Sequence, residues 1–267
     1  MTGSKGTAVV TGASSGIGAI YADRLARRGH DLVLVARNQA RLDQVAKRVA
    51  DAGRRRVEVV AANLNDKADL SRVEALLRTN GDITMLVNNA GIGALDPLLE
   101  SDVDAMEEMI ALNVTALTRL TYAVVPAMVS RGGGAIISIS SVMAIAPEIL
   151  NGVYGGTKAF VLALSPSLHE ELAASNLRVQ AVLPGATATN FWTAAGGSVD
   201  RLPSTIVMRP AELVDAALVG FDRGGSSPFR RCRMQRIGML TRRRGRGSFP
   251  TFRSASFRRA TAFQPAA

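Results

Sequence analysis

The sequence predicts an α/β protein built on a doubly wound parallel sheet with helices on both faces. Short β-branched runs alternate with longer amphipathic stretches over the first 222 of the 267 residues. A glycine-rich turn follows the first of these runs. Aromatic residues make up only 4% of the chain, so aliphatic side chains must fill the core, as they do in a parallel sheet that is covered on both faces.

Six runs rich in aliphatic residues predict strands, at residues 7–11, 31–36, 57–62, 84–88, 134–140 and 177–183. The intervening stretches have helical periodicity and predict helices at residues 16–29, 39–53, 66–79, 103–130, 153–174 and 210–222. The last helix has Pro210 near its first position, where proline is favoured. Strands that alternate with helices imply parallel crossovers, so we expect ligands outside the carboxyl ends of the strands.

The formal net charge of +10 is unevenly distributed. Residues 223–267 contain 12 arginines and no acidic residue, whereas the first 222 residues carry 20 basic and 22 acidic side chains. Helical and strand periodicity also stops near Gly224. We therefore predict a folded domain over residues 1–222 and an Arg-rich tail over residues 223–267 that is disordered or aberrant. A shifted reading frame and a genuine basic interaction tail are both open explanations.

The only cysteine, Cys232, excludes a disulfide within the chain and a cysteine-based metal cluster, and we expect no metal. No apolar run approaches the ~18 residues that cross a bilayer. The first strand-like segment ends in a glycine turn, which makes a poor signal peptide. A cytoplasmic protein without membrane contact is therefore expected.

The turn after the first strand reads Thr-Gly-Ala-Ser-Ser-Gly-Ile-Gly over residues 11–18. Glycines permit a tight turn and a close approach to a pyrophosphate, and the following helix presents free N–H groups. The sequence lacks the Gly-Lys-Ser/Thr of a P-loop. At the start of a βαβ array, this turn favours a Rossmann-type dinucleotide site over a plain turn. The candidate contacts are Gly12, Ser14, Ser15, Gly16, Ile17 and Gly18.

The second predicted strand ends in Ala36 and Arg37, beside the expected position of the adenosine ribose. An acidic residue there would bind the ribose 2′-hydroxyl of NAD, whereas an arginine accepts the 2′-phosphate of NADP. Ala36 cannot bind a hydroxyl group. The pair therefore favours NADP(H), with NAD(H) as the alternative and a solvated surface arginine as the simpler interpretation.

Tyr154 and Lys158 open the helix predicted at 153–174 and, being four residues apart, share one face. A tyrosine is a poor base at neutral pH, and a neighbouring ammonium group lowers its pKa. Such a tyrosine can donate a proton to a carbonyl or remove one from an alcohol. Two ordinary residues on the surface of a helix can have the same spacing. However, Ser141 ends a preceding strand, and Asn113 lies inside a predicted helix, where the presence of a polar side chain requires an explanation.

Taken together, the motifs resemble those of the short-chain dehydrogenase/reductase family over residues 5–222. The matching features are Thr11–Gly18, Asn88–Gly91, Asn113, Ser141, Tyr154–Lys158 and Pro184–Gly185. The glycine spacing disfavours the extended, epimerase-type relatives. The family has a seventh strand after its last helix, and residues 224–231 do not resemble a buried strand, so we expect that strand to be missing.

The resemblance implies a catalytic tetrad of Asn113, Ser141, Tyr154 and Lys158. Ser141 would bind the substrate oxygen, Tyr154 would exchange its proton, Lys158 would hold the nicotinamide ribose, and Asn113 would anchor a water. The resemblance also implies further cofactor contacts. They are Asn63 and Leu64 at the adenine, Asn89, Ala90 and Gly91 at the adenine and ribose, and Pro184, Gly185, Thr187 and Thr189 at the nicotinamide.

We therefore expect an NADP(H)-dependent oxidoreductase that moves a hydride between nicotinamide and a carbonyl or secondary alcohol substrate. Alternatives are a catalytically silent NADP(H)-binding protein that acts through partner contacts, and a nucleic-acid binder that uses its tail; no specific nucleic acid is expected. The resemblance implies a homodimer or homotetramer. Apolar residues beside the site favour an apolar substrate, although they could simply pack a lid: Met143, Ile145, Ile149, Leu150, Phe191 and Trp192.

Overall fold

The computed structural model describes residues 4–53 and 55–224, which lie within one compact unit, Met1–Arg230. The predictions of a disordered or aberrant tail and of a missing seventh strand concern residues outside the described part, except for Arg223 and Gly224. The description that follows is confined to the folded body.

The described residues form a six-stranded parallel sheet in the order β3-β2-β1-β4-β5-β6. The strands are β1 Thr7–Thr11, β2 Asp31–Ala36, β3 Val57–Ala61, β4 Ile83–Asn88, β5 Gly134–Ile139 and β6 Leu177–Val182. This arrangement confirms the predicted doubly wound fold. The strand order reverses between β1 and β4, and a ligand crevice forms outside the carboxyl ends of strands at such a reversal.

The helices agree with their predicted ranges to within three residues at each end, apart from one short addition and one interruption. They are α1 Gly16–Arg27, α2 Gln39–Gly53, α3 Lys67–Thr79, α4 Val103–Ile110, α5 Leu117–Ser130, α6 Gly152–Glu171, α7 Phe191–Ala194 and α8 Pro210–Asp222. The addition is α7, which at four residues is too short to show a helical period. The interruption is a π-helical segment, Ala111–Ala116, which divides the helix predicted over 103–130.

The core consists of two apolar layers, one on each face of the sheet. On one face, α1, α2 and α8 bury side chains such as Tyr21, Leu42 and Phe221. On the other face, α3, α5 and α6 bury side chains that include Leu77 and Leu120. Each fully buried aliphatic or aromatic side chain stabilises the fold by about 1.5–3 kcal/mol relative to an exposed one. Together the layers fix the sheet, so the loops at its carboxyl edge stand on a rigid base.

The helical run Val103–Ser130 is long and apolar enough to cross a bilayer by length and composition alone. The expectation that no segment reaches that length is therefore wrong. Part of this run is core, because Leu120, Val124 and Met128 are buried against the sheet. A core helix passes the same test of length and composition, so the run is weak support for a membrane span.

Candidate active site

The turn between β1 and α1 has a backbone conformation that favours glycine at two positions. Gly12 and Gly16 have φ values of 66° and 53°, in the left-handed region that side chains disfavour. A Cβ at Gly12 would lie 2.8 Å from Asn89 Nδ2, and one at Gly18 would lie 2.4 Å from the Gly12 carbonyl oxygen. At Gly12 and Gly18 the turn is therefore packed too tightly against its neighbours to hold a side chain.

Residues after β4 hold this turn in place. Thr11 Oγ1 accepts hydrogen bonds from the backbone N–H groups of Asn89 and Ala90, both at 3.0 Å. The side-chain Nδ2 of Asn89 donates to the carbonyl oxygens of Thr11 and Gly12, at 2.9 and 3.2 Å. The resemblance assigned Asn89 to the adenine and ribose, and the structure places its amide donors on the backbone of the turn. Asn89 therefore acts as a brace that joins β1 to β4.

The surroundings of the turn fit the phosphates of a dinucleotide. Ser15, at the start of α1, has an extended backbone and makes no side-chain capping hydrogen bond, so it does not occupy the N–H groups of the first turn. Ser14 and Ile17 are half-buried in the same turn. Arg37 follows β2, is exposed, and makes no hydrogen bond or ion pair with the other described residues. A positive helix end and an available guanidinium group suit an anionic ligand.

The two residues predicted to contact adenine follow β3, and both already interact with other parts of the protein. Asn63 Oδ1 accepts a hydrogen bond from the N–H of Asn65 at 3.2 Å, and the Asn63 N–H donates to Asp69 at 2.7 Å. Leu64 is buried in the core layer beside α3. Asn63 itself is exposed at the carboxyl end of β3. Of the two residues, Asn63 therefore has the more accessible side chain.

The first two turns of α6 carry the proposed acid–base pair. Asn151 caps this helix, with its Oδ1 accepting from the N–H groups of Val153 and Tyr154 at 3.0 and 3.2 Å. Tyr154 and Lys158 are both 7% exposed. Lys158 Nζ lies 5.8 Å from the centre of the Tyr154 ring and donates to the carbonyl oxygen of Ile139 at 3.0 Å. The structure therefore brings the two side chains together in a buried position at the end of β5.

Burial changes the pKa of each group in the direction that favours its neutral form. It raises the pKa of Tyr154 above the ordinary value of 10, and the Ser141 hydroxyl, as a hydrogen-bond partner, lowers it by less. Burial lowers the pKa of Lys158 to about 8. The tyrosine is therefore protonated at neutral pH, and the lysine keeps most of its charge there. That Lys158 lowers the pKa of Tyr154 stays a prediction.

Two adjacent serines at the end of β5 have different surroundings. Ser140 Oγ donates to the carbonyl oxygen of Lys158 at 2.7 Å and fixes α6 to the sheet. Ser141 Oγ accepts from the N–H of Met143 at 3.2 Å, and its hydroxyl is close enough to Tyr154 to lower the pKa of the tyrosine. Ser140 therefore has a structural role, and that Ser141 binds the substrate oxygen stays a prediction.

Asn113 lies in the π-helical segment and is buried. Its Oδ1 accepts from the N–H of Ile92 at 3.0 Å, and its Nδ2 donates to the Ile92 carbonyl oxygen at 2.8 Å and to Thr157 Oγ1 at 3.1 Å. A Cβ at Gly91 would lie 3.0 Å from Asn113 Oδ1 and 3.4 Å from Lys158 Nζ. Asn113 thus joins the segment after β4 to α6 beside the lysine. A π-helical turn inside an α-helix often marks a functional site.

The segment after β6 forms the other wall of the site. The Pro184 carbonyl oxygen accepts from the N–H of Val142 at 2.9 Å, and Thr187 Oγ1 donates to the carbonyl oxygen of Gly185 at 3.0 Å. Met208 pairs with this segment through backbone hydrogen bonds to Ala186 and Ala188, at 2.8 and 3.0 Å. We call residues 189–207, which lie between these pairings, the lid.

The lid begins beside the glycine turn and reaches Tyr154. A Cβ at Gly16 would lie 3.2 Å from Thr189 Cγ2, so the predicted nicotinamide contact borders the glycine turn. The ring of Phe191 lies 5.6 Å, centre to centre, from the ring of Tyr154. Ile145 and Ile149, from the loop before α6, are exposed. The apolar residues predicted to form a substrate pocket thus lie on two segments that flank Tyr154.

Sequence reasoning missed three residues of this site. Asn151 could have been found, because an asparagine just before a predicted helix is a common cap. Thr157 and Gly93 carry no such signal: Thr157 contacts Asn113, and Gly93 packs against Phe191, only in the folded chain. Across residues 4–53 and 55–224, no group of three or more His, Cys, Asp or Glu side chains is placed to hold a metal ion.

A family profile described as short chain dehydrogenase matches residues 6–197. Among curated proteins, the very-long-chain 3-oxoacyl-CoA reductase of Bos taurus is 37% identical over 188 residues, which are 69% of this chain and 60% of that protein. The chain thus spans less than two thirds of the bovine protein.

Two solved structures are similar over nearly the whole chain. The short-chain dehydrogenase from Sphingobium yanoikuyae in complex with NADPH is 46% identical, with a TM-score of 0.81, and the match covers 93% of this chain and 100% of that one. The bulky-bulky ketone specific alcohol dehydrogenase from Comamonas testosteroni is 42% identical, with a TM-score of 0.77, and the match covers 89% and 91% of the two chains.

Proposed function

The chain belongs to the short-chain dehydrogenase family of oxidoreductases, and we propose that it uses NADP(H) to interconvert apolar ketones and secondary alcohols. The observation that carries the proposal is the buried Tyr154, with Lys158 beside its ring and the Ser141 hydroxyl close enough to lower its pKa. This group stands at the carboxyl ends of β4 and β5, next to a turn whose glycines leave room for a dinucleotide.

Bound NADPH would supply the hydride, held by the glycine turn and by Arg37 at one end and by Lys158 and the segment from Pro184 to Thr189 at the other. The chain supplies the proton chemistry. Tyr154 keeps its proton at neutral pH because burial raises its pKa, so its hydroxyl is ready to donate to a carbonyl oxygen during reduction. Ser141 can donate a second hydrogen bond to the same oxygen. Asn113 and Ser140 hold the backbone around Lys158 in position.

The preference for NADP(H) rests on the end of β2. Ala36 offers no carboxylate for a ribose hydroxyl, whereas the guanidinium of Arg37 is exposed and engages no other described residue. A charge-assisted hydrogen bond to a phosphate is about twice as strong as a neutral one. The solved relative that contains NADPH supports the same preference.

The apolar character of the substrate rests on the two segments beside Tyr154. Phe191 contacts the tyrosine from the lid, and Ile145 and Ile149 expose aliphatic surface on the opposite loop. A pocket lined in this way offers few hydrogen bonds to a sugar or a small hydroxy acid. The names of two relatives, one specific for bulky ketones and one for very-long-chain oxoacyl groups, support an apolar substrate.

The direct test is NADPH oxidation by the full chain with a panel of carbonyl compounds. Acetophenone, benzophenone and long-chain aliphatic ketones should be reduced, and NADH should serve less well. Sugars and small 2-oxo acids make the contrasting set, and a preference for them would contradict the apolar pocket. Tight NADPH binding with no turnover of any ketone would instead favour the catalytically silent alternative.

Three further expectations stay predictions: a homodimer or homotetramer, a cytoplasmic location, and no contact with membranes or specific nucleic acids.

A further inference from the structure

The lid contacts the rest of the site through a side chain that fits against a glycine. The ring of Phe191 packs so closely on Gly93 that a Cβ there would lie 2.3 Å from Phe191 Cζ and 2.7 Å from Cε2. The same Cβ would lie 3.3 Å from Tyr154 Cε2. Phe191 therefore fills the space between the segment after β4 and the catalytic tyrosine. Any residue larger than glycine at position 93 would displace the ring.

A second contact has the same form in the opposite direction. Leu95, from the segment after β4, packs onto Gly197 of the lid, where a Cβ would lie 2.4 Å from Leu95 Cδ1. Each segment thus presents one large apolar side chain and one glycine to the other. We call this pair of contacts, Phe191 on Gly93 and Leu95 on Gly197, the glycine latch.

Backbone pairing holds the two ends of the lid together, and further hydrogen bonds stabilise the lid. Its two ends meet where Met208 pairs with Ala186 and Ala188. Trp192 Nε1 donates to the Thr187 carbonyl oxygen at 2.9 Å, and the Gly197 N–H donates to the Trp192 carbonyl oxygen at 2.8 Å. The lid is therefore a connected unit that joins the rest of the domain at its base, and the latch is its apolar contact with the segment after β4.

We propose that the glycine latch holds the lid closed over Tyr154, and that Phe191 determines which ketones reach the tyrosine. Tyr154 is 7% exposed and its ring contacts that of Phe191, so a carbonyl group that approaches the tyrosine hydroxyl passes beside the Phe191 ring. The distance through which Phe191 can move sets the bulk of the substituent that fits beside Tyr154. The role in substrate choice rests on the proposed function, whereas the latch itself does not.

The latch can be tested without any substrate, because Trp192 is the only tryptophan of the chain. Quenching of its fluorescence by acrylamide in the full-length protein reports how often the lid opens. Gly93→Ala and Gly197→Ala should each raise the quenching constant by about twofold or more, because local opening depends on the few contacts that close the segment. Gly81→Ala is the matched control, since a Cβ there meets nothing within 4 Å, and it should leave the constant unchanged.

A double substitution separates the latch from general loosening. In a Phe191→Ala background, Gly93→Ala should add no further increase in quenching, because the ring that it displaces is absent. Gly197→Ala should still add its own increase in that background. Circular dichroism on each variant shows that the comparison is made on folded protein. Quenching constants that stay at the wild-type value in both glycine variants would overturn the latch.

The role of Phe191 in substrate choice is tested with NADPH, acetophenone and benzophenone, which differ in the bulk of one substituent. Phe191→Ala should raise the ratio of kcat/KM for benzophenone to that for acetophenone by about tenfold or more, and Phe191→Leu by less. An unchanged ratio in both variants would show that Phe191 does not select substrates. If the wild type reduces neither ketone, the proposed function fails and the selective role with it, while the quenching experiment still decides whether the latch exists.

Discussion

The two ends of the active site are built in different ways. At the cofactor end, the backbone of the glycine turn is fixed by hydrogen bonds from Asn89 and Thr11, and Gly18 packs directly on the Gly12 carbonyl oxygen. At the substrate end, the lid meets the segment after β4 through side chains, with Phe191 and Leu95 as the large partners. A backbone carbonyl oxygen moves only if its chain moves, whereas a side chain can change rotamer while its backbone stays in place.

This difference implies a division of tasks. A ligand that all members of a family share can be bound by a rigid backbone turn, because its phosphates do not vary. A substrate must enter and leave. Contacts that open at a small cost in free energy are therefore an advantage at the end that binds the substrate. Four predictions test this division. They ask whether the two ends act independently, and whether the cofactor end is more rigid than the substrate end, as their contacts indicate.

The largest effect is expected at Tyr154, which lies between the two ends. Tyr154→Phe removes the proton donor but keeps the ring that packs on Phe191. Turnover of a reactive ketone should fall by about 10²–10⁴-fold, the usual contribution of a general acid. The dissociation constant for NADPH, measured by titration, should stay nearly unchanged. Near-full turnover by this variant would contradict the assigned mechanism, and a large loss of NADPH affinity would show that the two ends are coupled.

At the cofactor end, Arg37→Ala should weaken NADPH binding by roughly 10–100-fold, the range for a lost charge-assisted hydrogen bond. NADH binding should change little, because NADH lacks the 2′-phosphate. The ratio of activities on benzophenone and acetophenone should not change, since Arg37 makes no hydrogen bond or ion pair with the described residues of the lid. Equal losses for the two cofactors, or tighter binding of NADH by the wild type, would refute the assignment.

A glycine-to-alanine substitution at each end allows the rigidity of the two ends to be compared directly. The Cβ introduced by Gly18→Ala and the one introduced by Gly197→Ala would both lie 2.4 Å from a neighbour. The neighbour of Gly18 is a backbone carbonyl oxygen, and that of Gly197 is the tip of Leu95. Gly18→Ala should lower the free energy of unfolding by about 1–3 kcal/mol, the typical cost of overpacking. Gly197→Ala should lower it by less than about 1 kcal/mol, because a leucine can change rotamer.

Denaturant titration of both variants and of Gly81→Ala gives the comparison. Losses of equal size at positions 18 and 197 would show that the lid is as rigid as the glycine turn.

The smallest effect is expected in the free energy of unfolding and comes from the titration of Lys158. Burial lowers its pKa in the folded protein to about 8, from 10.5. Below pH 8 both folded and unfolded chains carry the proton, and the cost of burying the charge is fully present. Between about pH 8 and 10.5 only the unfolded chain binds it, so the free energy of unfolding should gain at most ~1.4 kcal/mol per pH unit from this group.

Chemical denaturation of the wild type and of Lys158→Met at pH 7, 8, 9 and 9.5 isolates this contribution as a difference in slope. The variant also loses the hydrogen bond to Ile139, but that loss is the same at every pH. Parallel curves for the two proteins would mean that Lys158 titrates in the folded state as it does in the unfolded chain.

Much of the fold and of the catalytic group could be predicted from the sequence. Strand and helix ranges follow from local periodicity, and the glycine turn from conformations that few other residues adopt. Tyr154 and Lys158 were paired because four residues bring side chains to one face of a helix. The π-helical segment around Asn113 and the short helix α7 could not be predicted, since neither leaves a repeating pattern in the sequence.

The sequence by itself determined the sheet, the direction of its strands, the glycine turn and the placement of Lys158 beside Tyr154, because these depend on backbone conformation and on residues close together in the chain. Only the tertiary structure decided that Asn89 braces the turn, that Ser140 is bonded to the Lys158 carbonyl oxygen, and that Phe191 fits against Gly93. The contacts of Asn89 and of Phe191 join residues that follow different strands of the sheet, and Ser140 and Lys158 are far apart in the connection from β5 to β6. No local pattern can encode such a contact, because packing in three dimensions selects the partner.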